Sequence, residues 1–148
     1  MKTLAIDYGT KKMGLAVSDS LGITIRPLPQ IPNTPDAIEK IRGIAREEDI
    51  RRILVGLPFH ADGNDSGMTR DARDFHGRLG KIFPEMEILL WDENYTTKMA
   101  SEKWAELTEK KIVNRKKKKK EMLDSIAAAI LLETFLRTSL QNRRESPE

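Results

Sequence analysis

The stretch Thr3 to Asp19, TLAIDYGTKKMGLAVSD, constrains the fold of this chain more than any other. Leu4, Ala5 and Ile6 form an apolar strand that runs into Asp7. The chain then breaks at Tyr8-Gly9-Thr10-Lys11, and Gly14 to Val17 is apolar again. This is the pattern of a β-hairpin with a carboxylate planted near its turn. A carboxylate at the end of a core strand is costly to desolvate unless a cation, either a side chain or a metal, pairs with it. The hairpin therefore predicts a sheet with a charged site at one edge.

Further along, Ile23, Ile25 and Leu28 continue the alternation until Pro27, Pro29 and Pro32 end it, as in an edge strand leading into an extended connection. Thr34-Pro35-Asp36 supplies an N-cap, a proline at the first helical position and an acid in the first turn. Ala37, Ile38, Ile41, Ile44 and Ala45 follow at helical spacing, so a helix is expected to about Glu48. Ile53-Leu54-Val55 reads as a strand buried on both faces, ending at Gly56-Leu57-Pro58. ADGNDSG at 61–67 has the composition of a loop, and Met68, Ala72, Phe75, Leu79 and Ile82 mark one face of a second helix stopped by Pro84. Met86 to Trp91 makes another strand, delivering Asp92 and Glu93 to its end. Thr96 or Thr97 caps a third helix with Ala100, Trp104 and Leu107 inward, and Met122 to Leu136 makes a long, largely buried fourth.

The expected fold is α/β: a mixed five-stranded sheet, three antiparallel strands and then two parallel ones, flanked by helices. Strands joined through helices run parallel with right-handed crossovers, and the carboxyl ends of such strands form the natural active edge. With 148 residues and 39% hydrophobic content the chain suits one core, so residues 1–138 read as a single domain and 139–148 as a flexible polar tail. No run reaches transmembrane length and Asp7 interrupts the apolar N-terminus, so a cytoplasmic protein without membrane contact is expected.

Three acids sit on apolar elements. Asp7 and the Asp92-Glu93 pair lie at strand ends, and Asp124 shares a helix face with Ala127, Ala128 and Leu131. Adjacent Asp92 and Glu93 point to opposite sides of a strand, so one of them reaches the site. There is no cysteine, and His60 and His76 have no partner at ligand spacing, so any metal is held by oxygen: Mg²⁺ or Mn²⁺. Clustered carboxylates repel one another, and a divalent cation reverses that preference. Two such ions about 4 Å apart activate water and stabilise the leaving oxygen of a phosphodiester. Each acid also has an ordinary reading. Asp7 could bond its own turn, and Asp124 could favour its helix N-terminus and pair with Lys120. Asp19, at the far end of the hairpin, reads as a turn residue.

Six of the 26 basic residues stand together as Arg115, Lys116, Lys117, Lys118, Lys119 and Lys120, leaving 20 against 23 acidic ones elsewhere. A mildly acidic body with one dense basic strip predicts a localised polyanion contact, the alternative being a solvated loop.

Together these residues resemble the YqgF family, also called RuvX, which is assigned to pre-16S rRNA processing and is related to Holliday junction resolvases of ribonuclease H-like fold. The resemblance spans nearly the whole chain. It rests on IDYGTKKMGLAVSD from Ile6, VGLP from Val55 with Asp62-Gly63, DENYTT from Asp92, the basic run, and DSIAAAILLETFL from Asp124. It implies Asp7, Glu93 and Asp124 as a metal-binding catalytic triad, with Glu93 chosen over Asp92. It also implies a mobile nucleic-acid-contacting loop at the basic run, and phosphate contacts from Lys11 and Lys12. Asn94 stands where the family commonly has Arg, and His60 where it has Asn.

The resulting expectation is a metal-dependent nuclease acting on the 5′ end of precursor rRNA, in contact with ribosomal particles and working as a monomer or weak dimer. Three alternatives remain: cleavage of branched DNA, which favours a dimer; a non-catalytic RNA-binding assembly factor, for which the basic strip speaks equally well; and ATP hydrolysis, suggested by Asp7-Tyr8-Gly9-Thr10, which needs two lobes where this chain fills one.

Overall fold

The computed structural model describes residues 1–57, 67–92 and 125–145. Along these run β1 (Thr3–Asp7), β2 (Lys12–Ser18), β3 (Ile25–Pro32), α1 (Ala37–Glu47), β4 (Arg52–Leu57), α2 (Gly67–Ile82), β5 (Glu87–Asp92) and α3 (Ile126–Glu145). The strands form one sheet in the order β3-β2-β1-β4-β5. The first three pair antiparallel, and β4 and β5 run parallel to β1, as the hairpin and the helical crossovers require.

Side-chain alternation divides the core into two layers. Leu4, Ile6, Met13, Leu15, Val17, Ile53 and Val55 face α1 and α2, which bring down Ala37, Ile41, Ala45, Ala72, Phe75, Leu79 and Phe83. Ala5, Ala16 and Leu54 face the other way, onto Ala128, Ala129, Leu131, Leu132 and Phe135 of α3. Small residues on the strands let α3 approach closely. Both faces of the central strands are thus covered, which explains the continuous apolar run at Ile53–Val55.

Three boundaries differ from expectation. β3 continues through Pro27 and Pro29 and ends only at Pro32, because it is an edge strand paired only with β2 and can omit ladder donors. The register shifts between Met13 and Leu15, and Ile23 lies exposed outside the strand. At α1 the cap is Asp36, not Thr34. The Ala37 amide donates to the Thr34 carbonyl at 2.9 Å, making a turn that contains Pro35 ahead of the helix. Finally, α3 runs on to Glu145, well into the segment expected to be a tail. Its outer turns gain an Arg137–Glu133 ion pair at i,i+4, and residues such as Gln141 and Arg143 are good helix formers. The helix expected after Thr96 and the loop at 61–66 lie outside the described residues.

Candidate active site

Asp7 is the last residue of β1, at the carboxyl edge of the three parallel strands. Strand alternation gives it the parity of Ala5, so it belongs to the face covered by α3. Its register neighbours are Gly14 on β2 and Gly56 on β4, and Gly56 in turn stands opposite Trp91 on β5. The row on this face therefore reads Gly14, Asp7, Gly56, Trp91. With glycine on either side, no neighbouring strand side chain covers the carboxylate. Burial pushes its pKa up from 3.8 to about 6, and among the described residues it has neither an ion pair nor a hydrogen-bond partner. A desolvated hard-oxygen donor at a strand end fits a divalent cation of the Mg²⁺ or Mn²⁺ type.

Gly56 has a second role. A Cβ there would come within 2.5 Å of Leu131 Cδ2, so the glycine admits α3 against the sheet beside Asp7. Gly9 is fixed by the hairpin turn itself, since a Cβ would collide with the Lys12 carbonyl oxygen. The turn is held from β3's end by Asn33, whose Nδ2 donates to the Gly9 carbonyl at 2.7 Å and whose backbone amide donates to the Lys11 carbonyl at 2.8 Å. Lys11 and Lys12 are both exposed on this turn, within a few residues of Asp7. Tyr8 turns to the opposite face and packs on Phe75, ring centroids 5.3 Å apart.

The chain returns to this edge at Ser125, which is fully buried and whose Oγ accepts the Leu15 amide at 3.1 Å. Trp91 packs edge-on against Phe135, centroids 5.4 Å apart, closing the α3 layer over β5.

Of the site residues expected from sequence, the structure places Asp7, Lys11 and Lys12 together at this edge. Glu93, Asp124, Arg115 and the lysines 116–120 lie outside the described residues, as do His60 and Asn94. Accordingly, among the described residues no three acidic or histidine side chains gather as a metal cluster. His76 is structural: its Nε2 meets the Ile88 carbonyl at 3.1 Å and ties α2 to β5. Asp19 is the turn residue expected. Its Oδ1 accepts the Ile23 amide at 2.8 Å, and this bond leads the effects that hold its carboxyl below the usual range. Gly14, Gly56, Asn33 and Ser125 were not anticipated. The signals were available only as glycines inside apolar strands, which mark close approach, and as polar residues flanking the motifs. A cavity of about 320 Å³ lined by Arg42, Arg46, Arg51, Ile82, Phe83 and Met86 lies at the amino-terminal edge of the strands, away from Asp7.

The RuvX family model, described as Holliday junction resolvase, matches residues 1–138. The chain belongs to the RuvX family. It is 36% identical over 146 residues to a Koribacter versatilis protein named "Putative pre-16S rRNA nuclease", a match covering 97% of this chain and 92% of that one. Among solved structures it resembles T. thermophilus RuvC in complex with a Holliday junction substrate (TM-score 0.57, 15% identity, 95% and 96% of the two chains). It also resembles the fowlpox virus Holliday junction resolvase (TM-score 0.58, 15% identity, 93% and 99%). The RuvX sheet seen here thus has the ribonuclease H-like architecture of these resolvases, and the family is one of nucleases, hydrolases of phosphodiester bonds. Among the described residues of this RuvX chain no helix is long and apolar enough to cross a membrane.

Proposed function

We propose that this RuvX protein is a divalent-metal-dependent nuclease that trims the 5′ end of precursor 16S rRNA, using Asp7, Glu93 and Asp124 as its carboxylates. The observation that carries the reading is the half-buried, desolvated Asp7 carboxylate at the carboxyl edge of β1. Two features of the chain support its partners. Position 93 directly follows Asp92, the last residue of β5, whose carboxyl end lies at the same edge of the sheet as Asp7. Position 124 immediately precedes Ser125, which is bonded to the strand next to Asp7.

Bound at these carboxylates, Mg²⁺ or Mn²⁺ would lower the pKa of a water and neutralise charge on the phosphate. The protein's own part is positional. Asp7 is held by two ladders with glycine opposite it on both neighbouring strands, and Leu131 of α3 packs over Gly56 on its apolar side. Lys11 and Lys12 on the exposed turn, with Arg115 and Lys116–Lys120, engage backbone phosphates, which fix register without reading sequence. Hydrolysis adds the oxygen of water to phosphorus and releases one ester oxygen as an alcohol. The name carried by the Koribacter relative favours precursor rRNA over branched DNA as the substrate.

The test compares the purified protein with Asp7→Asn on a 5′-extended 16S rRNA precursor and on a four-way DNA junction, each with Mg²⁺, Mn²⁺ or EDTA. Metal-dependent cleavage of the precursor that disappears in the variant is expected. Preferential cleavage of the junction would transfer the reading to branched DNA. Tight RNA binding with no cleavage by either protein would replace it with a non-catalytic assembly factor.

A further inference from the structure

Ser125 opens α3. Its carbonyl accepts the Ala129 amide at 3.1 Å, the first backbone bond of the helix, so it occupies the N-cap position. A serine there ordinarily turns its hydroxyl onto the amide two or three residues ahead. Here Oγ instead accepts the amide of Leu15, 110 residues earlier in the chain. Leu15 stands opposite Ile6, one ladder pair from Asp7 and Gly14, at the point where the β2–β3 register shifts. One hydrogen bond therefore ties the N-cap of α3 to the strand alongside Asp7.

The geometry points to Ser125 as a positioning residue, whose bond to Leu15 sets the spacing between Asp7 and the carboxylate of the residue just before it, Asp124. This rests on the carboxylate reading above and adds a residue to it. The rest of the α3 interface consists of Ala128, Ala129, Leu131, Leu132 and Phe135. Those apolar contacts, Leu131 over Gly56 among them, seat the helix on the sheet, and the hydrogen bond adds a directional restraint at its first turn. Mg²⁺ demands near-ideal octahedral geometry, so a directional restraint at the end of the helix nearest the site has a specific use. The bond also satisfies a buried backbone donor that would otherwise be left unpaired.

The experiment uses the full-length protein with Ser125→Ala, the near-isosteric weak acceptor Ser125→Cys, and Phe135→Leu, which loosens α3 ten residues away. Mn²⁺ binding is measured by calorimetry, Mg²⁺ activation by precursor cleavage, and stability by thermal unfolding. Loss of a partner that orients metal ligands typically weakens metal affinity by about tenfold or more. Ser125→Ala is therefore expected to raise the Mn²⁺ Kd and the half-activating Mg²⁺ concentration to about that extent, while the rate at saturating metal changes little. Ser125→Cys should shift the Mg²⁺ curve in the same direction and keeps the test open if the alanine variant does not fold. Phe135→Leu should lower Tm and leave both metal curves in place. Unchanged metal curves in the Ser125 variants would overturn the positioning role, as would an equal shift in Phe135→Leu. An active Asp7→Asn would overturn the carboxylate reading itself, whereas an inactive Asp7→Asn beside unshifted Ser125 variants would overturn only the inference about Ser125.

Discussion

Replacing Asp7 with asparagine should make the metal-free protein more stable while abolishing its activity. Burial raises the Asp7 pKa from 3.8 to about 6, so the folded state binds its proton more tightly than the unfolded state does. Between those two values the folded state holds more protons, and stability falls as pH rises through the window. Below it both states are protonated and the penalty is absent; above it the penalty is complete. A shift of roughly two units corresponds to about 3 kcal/mol at neutral pH. Asparagine has nearly the same shape and does not ionise, so it removes that penalty. In a domain of this size the gain amounts to roughly 6–12 °C in Tm. The assay is thermal and urea unfolding of both proteins in EDTA from pH 3.5 to 8. The difference should be near zero at the acid end, grow between pH 4 and 6, and level off above. Adding Mg²⁺ should then stabilise the wild-type protein and leave the variant unmoved, since a ligand stabilises only the state that binds it. A variant no more stable than wild type at pH 8, or a gain that persists unchanged at pH 4, would refute the reading of Asp7 as a desolvated carboxylate with no counter-charge among the described residues.

Other substitutions probe the neighbouring geometry. Gly56→Ala drives a methyl into Leu131, a fully buried side chain, and should cost ~1–3 kcal/mol in urea unfolding along with most of the cleavage activity; a silent substitution would mean that α3 is not seated as described. Asn33→Ala removes the bond to the Gly9 carbonyl and should lower stability by about 1 kcal/mol. Because that bond holds the turn bearing Lys11, the KM for RNA should rise severalfold with kcat nearly constant, and a pure kcat effect would contradict this role. Replacing Lys116–Lys120 with serine should weaken RNA binding and flatten its dependence on salt by ~0.7–0.9 in log–log slope for each phosphate no longer neutralised. An unchanged slope would remove the basic run from the interface.

How far the sequence disclosed this fold depended on what each residue signals locally. Apolar periodicity is a local property, so the five strands, α1, α2 and the buried face of α3 were legible, as was the parallel placement of β4 and β5 beside β1. The prolines of β3 misled because their cost depends on whether a strand is at an edge, which is decided by the sheet and not by the strand. Thr34 and Pro35 resemble a helix start and instead make the turn before one, with Asp36 at the cap. At the site, Asp7 stood out as an acid ending an apolar strand. Gly14 and Gly56 carry no such mark, and their meaning appears only once register sets them on either side of it. Ser125 is hidden for the same reason, since its partner lies 110 residues away. Choosing Glu93 over Asp92 needed the family motif, and Glu93 lies outside the described residues.

The site concentrates features that each weaken a fold on their own. Glycine within a strand forgoes packing and adds chain entropy to be lost, and a buried carboxylate without a counter-charge opposes folding at neutral pH. Both occur on the α3 face of β1 and its two neighbours, at the carboxyl edge. The opposite face of the same strands is packed by Leu4, Ile6, Leu15, Ile53 and Val55 against two helices, with Phe75, Leu79 and Phe83 filling the layer. That division lets one side of the sheet supply the cohesion that the other gives up. It follows that substitutions in the α1–α2 layer should lower stability with little specific effect on metal dependence, whereas those along the Gly14–Asp7–Gly56–Trp91 row should alter function even where the fold is kept. The two faces of one short strand, β1, thus separate what holds the protein together from what it does.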